Sequence, residues 1–327
     1  MESLLKIENL TVEYHANREI VHAVTDVNLE IKKGESLGLV GETGAGKTTT
    51  ALSILRLLPN RTAKILSGKT IFQERNLQEL TEEEMRAVRG SGISMIFQDP
   101  MTSLNPVSTV GQQIYEVLYY HNYENKKRDE LNKRVDELME LVGIPAERKS
   151  EYPHQFSGGM KQRIGIAIAL ACEPALLIAD EPTTALDVTI QAQVLAQISE
   201  LRKKLNTSVL LITHDLGVVA KMCDNVAIMY AGEIIEYGSV YDIYKGRRHH
   251  PYTEGLFGSI PKLTDKTERL NAIPGLMPDP TRVVRGCSFF PRCPKCSEAC
   301  ALKKPEAVWN GTHMLRCHLF ADTREEE

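Results

Sequence analysis

A glycine-rich octapeptide between two apolar segments constrains the fold of this chain more than any other feature. The octapeptide, Gly41-Glu42-Thr43-Gly44-Ala45-Gly46-Lys47-Thr48, fits the pattern G-x-x-x-x-G-K-[ST]. The apolar run before it, residues 36–40, is too short for a helix, and residues 48–58 have helical spacing until Pro59. This pattern predicts a strand, a tight loop and a helix. Such a loop gathers backbone N–H groups around phosphates, with Lys47 to neutralise the β- and γ-phosphates and Thr48 to ligate Mg²⁺.

Two carboxylates follow a second apolar run. Residues 175–179 have the pattern of a buried strand, and Asp180 and Glu181 come directly after them. Open α/β sheets bind ligands at the C-terminal ends of their strands, where a phosphoryl-transfer site needs its acids. Asp180 is the candidate to hold Mg²⁺, and Glu181 is the candidate to orient the attacking water. The alternative is a pair of solvated acids that cap the next turn.

Further segments predict a mostly parallel, covered α/β sheet with two additions. Residues 208–212 have the pattern of another buried strand, and residues 189–205 that of an amphipathic helix between strands. Short β-rich runs within residues 4–31 predict an antiparallel entry sheet. Residues 99–154 are polar and helical without a buried strand, which predicts an inserted helical subdomain at about 99–160. These elements make up a predicted nucleotide-binding domain over residues 1–245.

Composition and charge exclude several classes of protein. The 327 residues suggest about two domains, and 39 Lys and Arg against 43 Asp and Glu leave a net charge of −4. No basic surplus exists for binding nucleic acid. The longest apolar stretch, residues 164–179, contains Glu173 and Pro174 and is shorter than the ~20 residues of a membrane-spanning helix. The first residues lack a signal peptide's apolar run, so we expect the chain to stay in the cytoplasm.

The last segment, residues 246–327, changes in composition. It is rich in Pro, Gly, Cys and Arg, and its helical or strand periodicity fades. We expect a small appended domain that is held together by something other than an apolar core. Five cysteines fall within the last 41 residues, and in a reducing cytosol such a group favours metal binding over disulfides. They are Cys287, Cys293, Cys296, Cys300 and Cys317.

A third stretch introduces a family resemblance. Residues 156–163, Phe-Ser-Gly-Gly-Met-Lys-Gln-Arg, resemble the signature loop of ATP-binding cassette (ABC) proteins. Gln98, Ala185-Leu186-Asp187 and Thr213-His214-Asp215 stand around it in the family's order. The resemblance implies an ABC-type P-loop NTPase fold. It also implies a head-to-tail dimer that holds two ATP molecules, each between one subunit's phosphate loop and the other's signature loop.

The resemblance also implies residue roles. Glu181, His214 and Lys47 would be catalytic, and Asp187 would belong to the D-loop. Mg²⁺ would be held by Thr48, Gln98 and, through water, Asp180. Nucleotide contacts are expected from Tyr14, Gly41, Glu42, Thr43, Gly44, Ala45, Gly46, Lys47, Thr48, Thr49, Gln98 and Asp180, and contacts to the partner's ATP from Ser157, Gly158, Gly159 and Met160. Phe156 and Met160 depart from the leucine and glutamine that many relatives carry there.

Three stretches resemble the branch that imports dipeptides, oligopeptides or nickel. They are residues 97–106, residues 250–261 with His-Pro-Tyr-Thr at their start, and residues 286–293 with the cysteines that follow. The resemblance implies that Cys287, Cys293, Cys300 and Cys317 ligate a [4Fe–4S] cluster. Cys296 adds a C-x-x-C spacing that also suits zinc, and unligated or disulfide-linked thiols remain a third alternative.

The function expected from this resemblance is an ATPase that powers import of di- or oligopeptides. Its partners would be a second ATP-binding subunit, with a different chain favoured, two transmembrane permease subunits, and indirectly an extracytoplasmic solute-binding protein. It would lie peripherally on the cytoplasmic face of the membrane, with permease contacts from about Met101 to Tyr120, and it would bind no nucleic acid. Nickel import, and a soluble ABC-type ATPase of nucleic-acid repair or translation, are the alternatives.

Overall fold

The computed structural model describes residues 2–16, 19–99, 103–122, 124–183, 187–260 and 273–321. Residues 100–102, Ala185, Leu186 and Pro261, which belong to stretches discussed above, lie outside these ranges. The chain divides into two compact units. The first unit comprises residues 1–4, 31–36 and 73–213, and the second comprises residues 5–30, 37–72 and 214–327.

The regular elements follow in chain order. The strands are β1 (Ser3–Ala16), β2 (Glu19–Lys32), β3 (Ser36–Val40), β4 (Ala63–Phe72), β5 (Arg75–Asn76), β6 (Ile93–Ile96), β7 (Leu176–Asp180), β8 (Ser208–Thr213), β9 (Asn225–Tyr230), β10 (Glu233–Ser239), β11 (Val308–Asn310) and β12 (His313–Leu315). The helices are α1 (Lys47–Ile54), α2 (Glu82–Val88), α3 (Val110–Tyr120), α4 (Arg128–Leu141), α5 (Gly158–Leu170), α6 (Val188–Leu205), α7 (Leu216–Met222), α8 (Val240–Lys245), α9 (Pro251–Gly258) and α10 (Glu298–Leu302).

The first unit contains a parallel sheet. β6 pairs with β7 and β7 pairs with β8, with Ile96 opposite Ala179 and Ala179 opposite Leu211. Every residue of β7 and β8 is buried, as expected for parallel strands covered on both faces. The strands predicted at 175–179 and 208–212 and the helix predicted at 189–205 are confirmed.

In the first unit, the described part of residues 103–170 consists of helices and the loops that connect them. Thr109 caps α3 by accepting a hydrogen bond from the Gln112 amide, and α4 begins after Lys127. The side chains of Leu131, Val135 and Leu138 form the buried stripe of α4 at helical spacing. No strand occurs among the described residues of this stretch, as predicted from its polarity.

The second unit contains the predicted entry sheet and the strand before the glycine-rich loop. β1 lies between β2 and β4 and pairs antiparallel with β4, with Leu5 opposite Phe72. β3 pairs parallel with β9, and β9 pairs antiparallel with β10. α1 is shorter than predicted, because Arg56 adopts a left-handed φ of 51° soon after the helix ends at Ile54.

The tail, residues 273–321 as described, belongs to the second unit. β12 pairs antiparallel with β10, with Met314 opposite Tyr237, and β11 pairs with β12. Phe289 is 2% exposed, and its ring lies 5.2 Å from that of Tyr230 and 5.5 Å from that of Tyr252. The tail therefore extends the sheet through β10 and buries Phe289 against Tyr230 of β9 and Tyr252 of α9. Apolar packing holds this part of the segment to its neighbours.

A buried carboxylate fastens the tail to β10. One oxygen of Glu236 lies 2.9 Å from Nδ1 of His249 and 2.9 Å from Nε2 of His313, and the other accepts the His250 amide. Burial alone would raise the pKa of Glu236, but the hydrogen bonds from His249 and His313 outweigh it and lower that pKa to about 2. The hydrogen bond to Glu236 in turn raises the pKa of His249. The network is thus an ionised carboxylate bridging three segments of the second unit.

Candidate active site

The glycine-rich loop adopts a conformation that needs its glycines. A Cβ on Gly41 would lie 2.2 Å from the carbonyl oxygen of Met229, which is too close for any side chain. Gly44 and Gly46 adopt φ angles of +84° and +103°, in the left-handed region. Lys47 follows as the first residue of α1, so the N-terminus of this helix lies at the loop.

Lys47 folds back over the loop. Its ammonium donates hydrogen bonds to the carbonyls of Gly41 at 2.7 Å and Glu42 at 3.0 Å. The side chain is buried, whereas Thr43, Gly44 and Thr48 are exposed. A cation is therefore held beside exposed backbone at a helix N-terminus, an arrangement suited to the oxygens of a phosphate chain.

Tyr14 of β1 lies beside this loop, as its predicted role requires. Its hydroxyl is 3.4 Å from the Oγ1 of Thr49 in the first turn of α1. The ring is half-buried, which leaves part of its surface open. The structure brings Tyr14 to the loop, and its stacking on adenine stays a prediction.

Asp180, Glu181 and Gln98 stand together in the first unit. Asp180 ends β7 and is 2% exposed. Glu181 adopts a left-handed φ of 44°, and its amide donates to the carbonyl of Ile212 at 2.9 Å. Gln98 donates from Nε2 to the Glu181 carboxylate at 3.2 Å, although 83 positions separate them in sequence. Residues other than glycine that adopt a left-handed φ, as Glu181 does, are often found at functional sites.

The signature loop begins α5. Ser157 is the N-cap and accepts a hydrogen bond from the Met160 amide at 3.4 Å. Ser157 and Gly158 are exposed, and a Cβ on Gly159 would lie 2.6 Å from Cγ2 of Ile190. Gly159 therefore lets the start of the helix pack closely on α6, beside the exposed Ser157 and Gly158.

The two departures from the family's signature sequence share one contact. The guanidinium of Arg148 lies 4.3 Å from the centroid of the Phe156 ring, and its Nη1 is 3.7 Å from the sulfur of Met160. Arg148 also pairs with Glu151 at 2.6 Å. Both side chains that differ from the family's usual leucine and glutamine therefore pack on the same arginine, and Ser157 between them stays exposed.

Asp187 lies at the start of α6, and His214 lies just after the end of β8. Asp187 caps α6 by accepting hydrogen bonds from the amides of Thr189 at 3.1 Å and Ile190 at 3.0 Å. His214 is exposed and follows β8 directly, and Asp215 after it caps α7. Both residues stand at the strand or helix ends that the sequence predicts, and their roles toward nucleotide stay predictions.

Two residues that the sequence did not indicate contact the glycine-rich loop. The Glu42 amide donates to the hydroxyl of Tyr252 at 3.0 Å, and Arg292 pairs with the Glu42 carboxylate at 3.0 Å. Tyr252 lies in the His-Pro-Tyr-Thr stretch, and Arg292 lies directly before Cys293. The only sequence signal was that both stand in stretches resembling the import branch.

The tail cysteines form a group of thiols without disulfides. Cys287 donates from its amide to the carbonyl of Cys300 at 2.7 Å, and Cys300 and Cys317 are buried. Burial raises the pKa of Cys287 and that of Cys317 to about 11, and the neighbouring thiols of the group add to both shifts. Cys296, by contrast, is exposed.

The described residues bring one set of potential metal ligands close together. Among the described residues, only Glu236, His249 and His313 bring three potential ligand atoms within 4.8 Å of one another.

Two protein-family models match the chain. Residues 24–184 match the model described as ABC transporter, and residues 235–300 match the model of the oligopeptide/dipeptide transporter, C-terminal region. The described helices include none that is both long and apolar enough to cross a membrane.

Similar proteins cover the chain from end to end. The oligopeptide transport ATP-binding protein AppD of Bacillus subtilis (strain 168) is 47% identical over 330 residues, 100% of each chain. The dipeptide transport ATP-binding protein DppD of the same organism is 48% identical over 100% of this chain and 97% of its own.

Among solved structures, the ATP-binding cassette MJ0796, a dimer in a post-hydrolysis state bound to ADP and Pi, superposes with a TM-score of 0.65 at 27% identity. That match covers 72% of this chain and 99% of the other. The fold is thus that of an ABC ATPase cassette with mixed α/β sheets. The chain belongs to the ATP-binding proteins of the oligopeptide/dipeptide branch of ABC transporters.

Proposed function

We propose that this chain is the ATP-hydrolysing subunit that powers import of di- or oligopeptides through a membrane permease. The observation that carries the proposal is the full-length similarity, at 47 and 48% identity, to proteins named for oligopeptide and dipeptide transport. These names favour peptide import over nickel import and over nucleic-acid repair or translation.

Within the ATP site, each residue has a role that follows from its chemistry. Lys47 and the amides of residues 41–48 bind the phosphates, and Tyr14 stacks on the adenine. Thr48, Gln98 and, through water, Asp180 would hold Mg²⁺, and their oxygen donors suit that ion. When bound, the ion would offset negative charge on the phosphate oxygens. Glu181 orients and deprotonates the attacking water, and His214 donates a hydrogen bond to the γ-phosphate.

ATP also joins two subunits in this proposal. Ser157 and Gly158 are exposed at the N-terminus of α5, where helix amides and the helix dipole favour an anion. We assign them, with Gly159 and Met160, to the γ-phosphate that the partner subunit's phosphate loop brings. ATP then stabilises the closed dimer, and hydrolysis releases it, because the signature loop loses its γ-phosphate.

The helical part of the first unit carries the surface for the permease. Val107, Tyr119 and Tyr120 are exposed large apolar or aromatic side chains within and before α3. Such side chains are typical of interfaces with other proteins. Docking of two permease subunits here holds the chain peripherally at the cytoplasmic membrane face and links it to an external solute-binding protein.

We further propose that the tail is a small Cys-rich domain in which Cys287, Cys293, Cys300 and Cys317 hold a [4Fe–4S] cluster. The burial of Cys300 and Cys317, and the hydrogen bond from the Cys287 amide to the Cys300 carbonyl at 2.7 Å, support this proposal. Anaerobically purified protein should contain about four irons and four sulfides per chain. Cys317→Ser should lose the iron, and the matched Cys296→Ser should keep it. Stoichiometric zinc, or iron retained in Cys317→Ser, would overturn the assignment.

ATP-driven dimerisation is tested by trapping the nucleotide-bound dimer. Glu181→Gln protein, mixed with its partner ATP-binding subunit and Mg-ATP, should elute as a nucleotide-bound dimer in size-exclusion chromatography. Glu200→Gln is the matched control, because Glu200 is exposed on α6 and undergoes the same chemical change. That control should hydrolyse ATP and show no stable dimer. Failure of Glu181→Gln to pair and retain ATP would contradict the proposed mechanism.

A further inference from the structure

Glu42, the second residue of the glycine-rich loop, is held by two residues of the second unit that are distant from it in sequence. The main chain of Glu42 is held because its amide donates to the Tyr252 hydroxyl at 3.0 Å. The Glu42 side chain is held because Oε2 accepts from Nη1 of Arg292 at 3.0 Å, across 250 positions of sequence. One residue next to Gly41 is therefore restrained at both its backbone and its carboxylate.

Arg292 is itself held in place. Its Nε donates to the carbonyl of Pro274 at 2.9 Å, and Nη2 donates to that of Ile273 at 3.4 Å. The guanidinium carbon also lies 5.8 Å from the ring centroid of Tyr230 and 6.0 Å from that of Phe289. The side chain is only 5% exposed, so its charge needs a partner, and Glu42 supplies it.

Tyr252 is equally constrained. It is fully buried, and its ring lies 4.7 Å from that of Tyr230 and 5.5 Å from that of Phe289. Burial raises the pKa of its hydroxyl well above its usual range, so the group stays protonated and neutral. The hydroxyl is thus a fixed acceptor for the Glu42 amide.

We propose that Arg292 and Tyr252 are positioning residues that hold the phosphate-binding loop in its nucleotide-binding conformation. This inference rests on the proposed role of residues 41–48 as that loop. Arg292 directly precedes Cys293, so any change in the fold of the cysteine-bearing tail reaches the loop through one side chain. ATP affinity therefore depends on an intact tail as well as on the loop's own sequence.

The test is the affinity for Mg-ADP, which needs no turnover, measured by isothermal titration calorimetry. Arg292→Met and Glu42→Gln should each weaken binding about tenfold, the size of one charge-assisted hydrogen bond. The double variant should be no weaker than either single variant, because both changes remove the same contact. Arg292→Lys should recover part of the affinity. Lys295→Met is the matched control, since Lys295 is an exposed tail cation paired with Glu254, and its affinity should not change.

Several outcomes would overturn the inference. Affinities of Arg292→Met and Glu42→Gln within twofold of the parent would do so, as would additive losses in the double variant. If Arg292→Met does not fold, the Mg-ADP affinity of Glu42→Gln is sufficient to test the inference, because that substitution leaves the tail sequence intact. A purely structural role would lower the thermal midpoint of Glu42→Gln without changing its Mg-ADP affinity, and that result would also refute positioning. Lys47→Ala distinguishes the two proposals. Unchanged Mg-ADP affinity in that variant would refute the role of residues 41–48 as the phosphate-binding loop, and not only the positioning role of Arg292 and Tyr252.

Discussion

Replacement of Phe289 by alanine tests whether the tail shares a core with the cassette. The ring is buried between the aromatic rings of Tyr230 in β9 and Tyr252 in α9. Loss of a buried phenyl group and the resulting cavity costs about 3–5 kcal/mol. Two aromatic pairs, each contributing about 0.5–1.5 kcal/mol, favour the upper half of that range. We therefore expect Phe289→Ala to lower the free energy of unfolding by about 4 kcal/mol.

Urea unfolding followed by two signals provides the assay. Trp309, the only tryptophan of the chain, lies in β11 with its ring 6.0 Å from that of Tyr237 in β10, so its fluorescence reports docking of the tail. Far-ultraviolet circular dichroism reports the helices and strands of the whole chain. In Phe289→Ala, both transitions should shift to lower urea, because the lost contacts belong to cassette and tail alike.

Phe289→Leu is the matched control. It keeps an apolar side chain in the same place and should cost about 1 kcal/mol. Equal effects of the alanine and leucine variants would show that the ring is not packed as described. A shift of the Trp309 signal alone would show that the tail folds independently of β9 and α9, which would refute a shared core.

Two more predictions concern buried groups of the cassette. Glu236→Gln should lower the stability by about 3 kcal/mol at pH 7, since the carboxyl pKa falls from 4.5 in the unfolded chain to about 2. Because the carboxyl pKa is lowered on folding, the ionised carboxylate stabilises the fold above pH 4.5, and this stabilisation is lost toward pH 2. In urea titrations, the difference in unfolding free energy between parent and variant should therefore shrink below pH 4.5. A difference that stays constant with pH would contradict the ionised network. Gly41→Ala should abolish Mg-ADP binding, because its Cβ would meet the Met229 carbonyl oxygen at 2.2 Å. Gly165→Ala, with no atom within 4 Å of the new methyl group, should bind normally, and equal affinities would refute the tight loop.

The sequence was sufficient for those elements whose signal is local. The strand–loop–helix around Lys47 and the strand that ends at Asp180 follow from apolar runs and glycine spacing, and the structure has both. Their side-chain period and turn residues are set by neighbours in the chain. Only the end of α1 differed, because a left-handed Arg56 terminates it before Pro59.

Long-range contacts could not be predicted in this way. The Arg292–Glu42 pair joins positions 250 residues apart, and neither residue has a local pattern that identifies its partner. β12 is three residues long, too short for alternation to reveal that it pairs with β10. The shared contact of Phe156 and Met160 with Arg148 was hidden for the same reason, although both departures were visible in the sequence.

Peptide transport in a reconstituted system tests the central claim most directly. Vesicles should carry the permease subunits, the partner ATP-binding subunit and this chain, with the solute-binding protein and a labelled dipeptide on the opposite side. We expect uptake that requires Mg-ATP on the side of this chain, is lost with Glu181→Gln and persists with Glu200→Gln. Uptake that continues at the parent rate with Glu181→Gln, or that proceeds without ATP, would contradict the account.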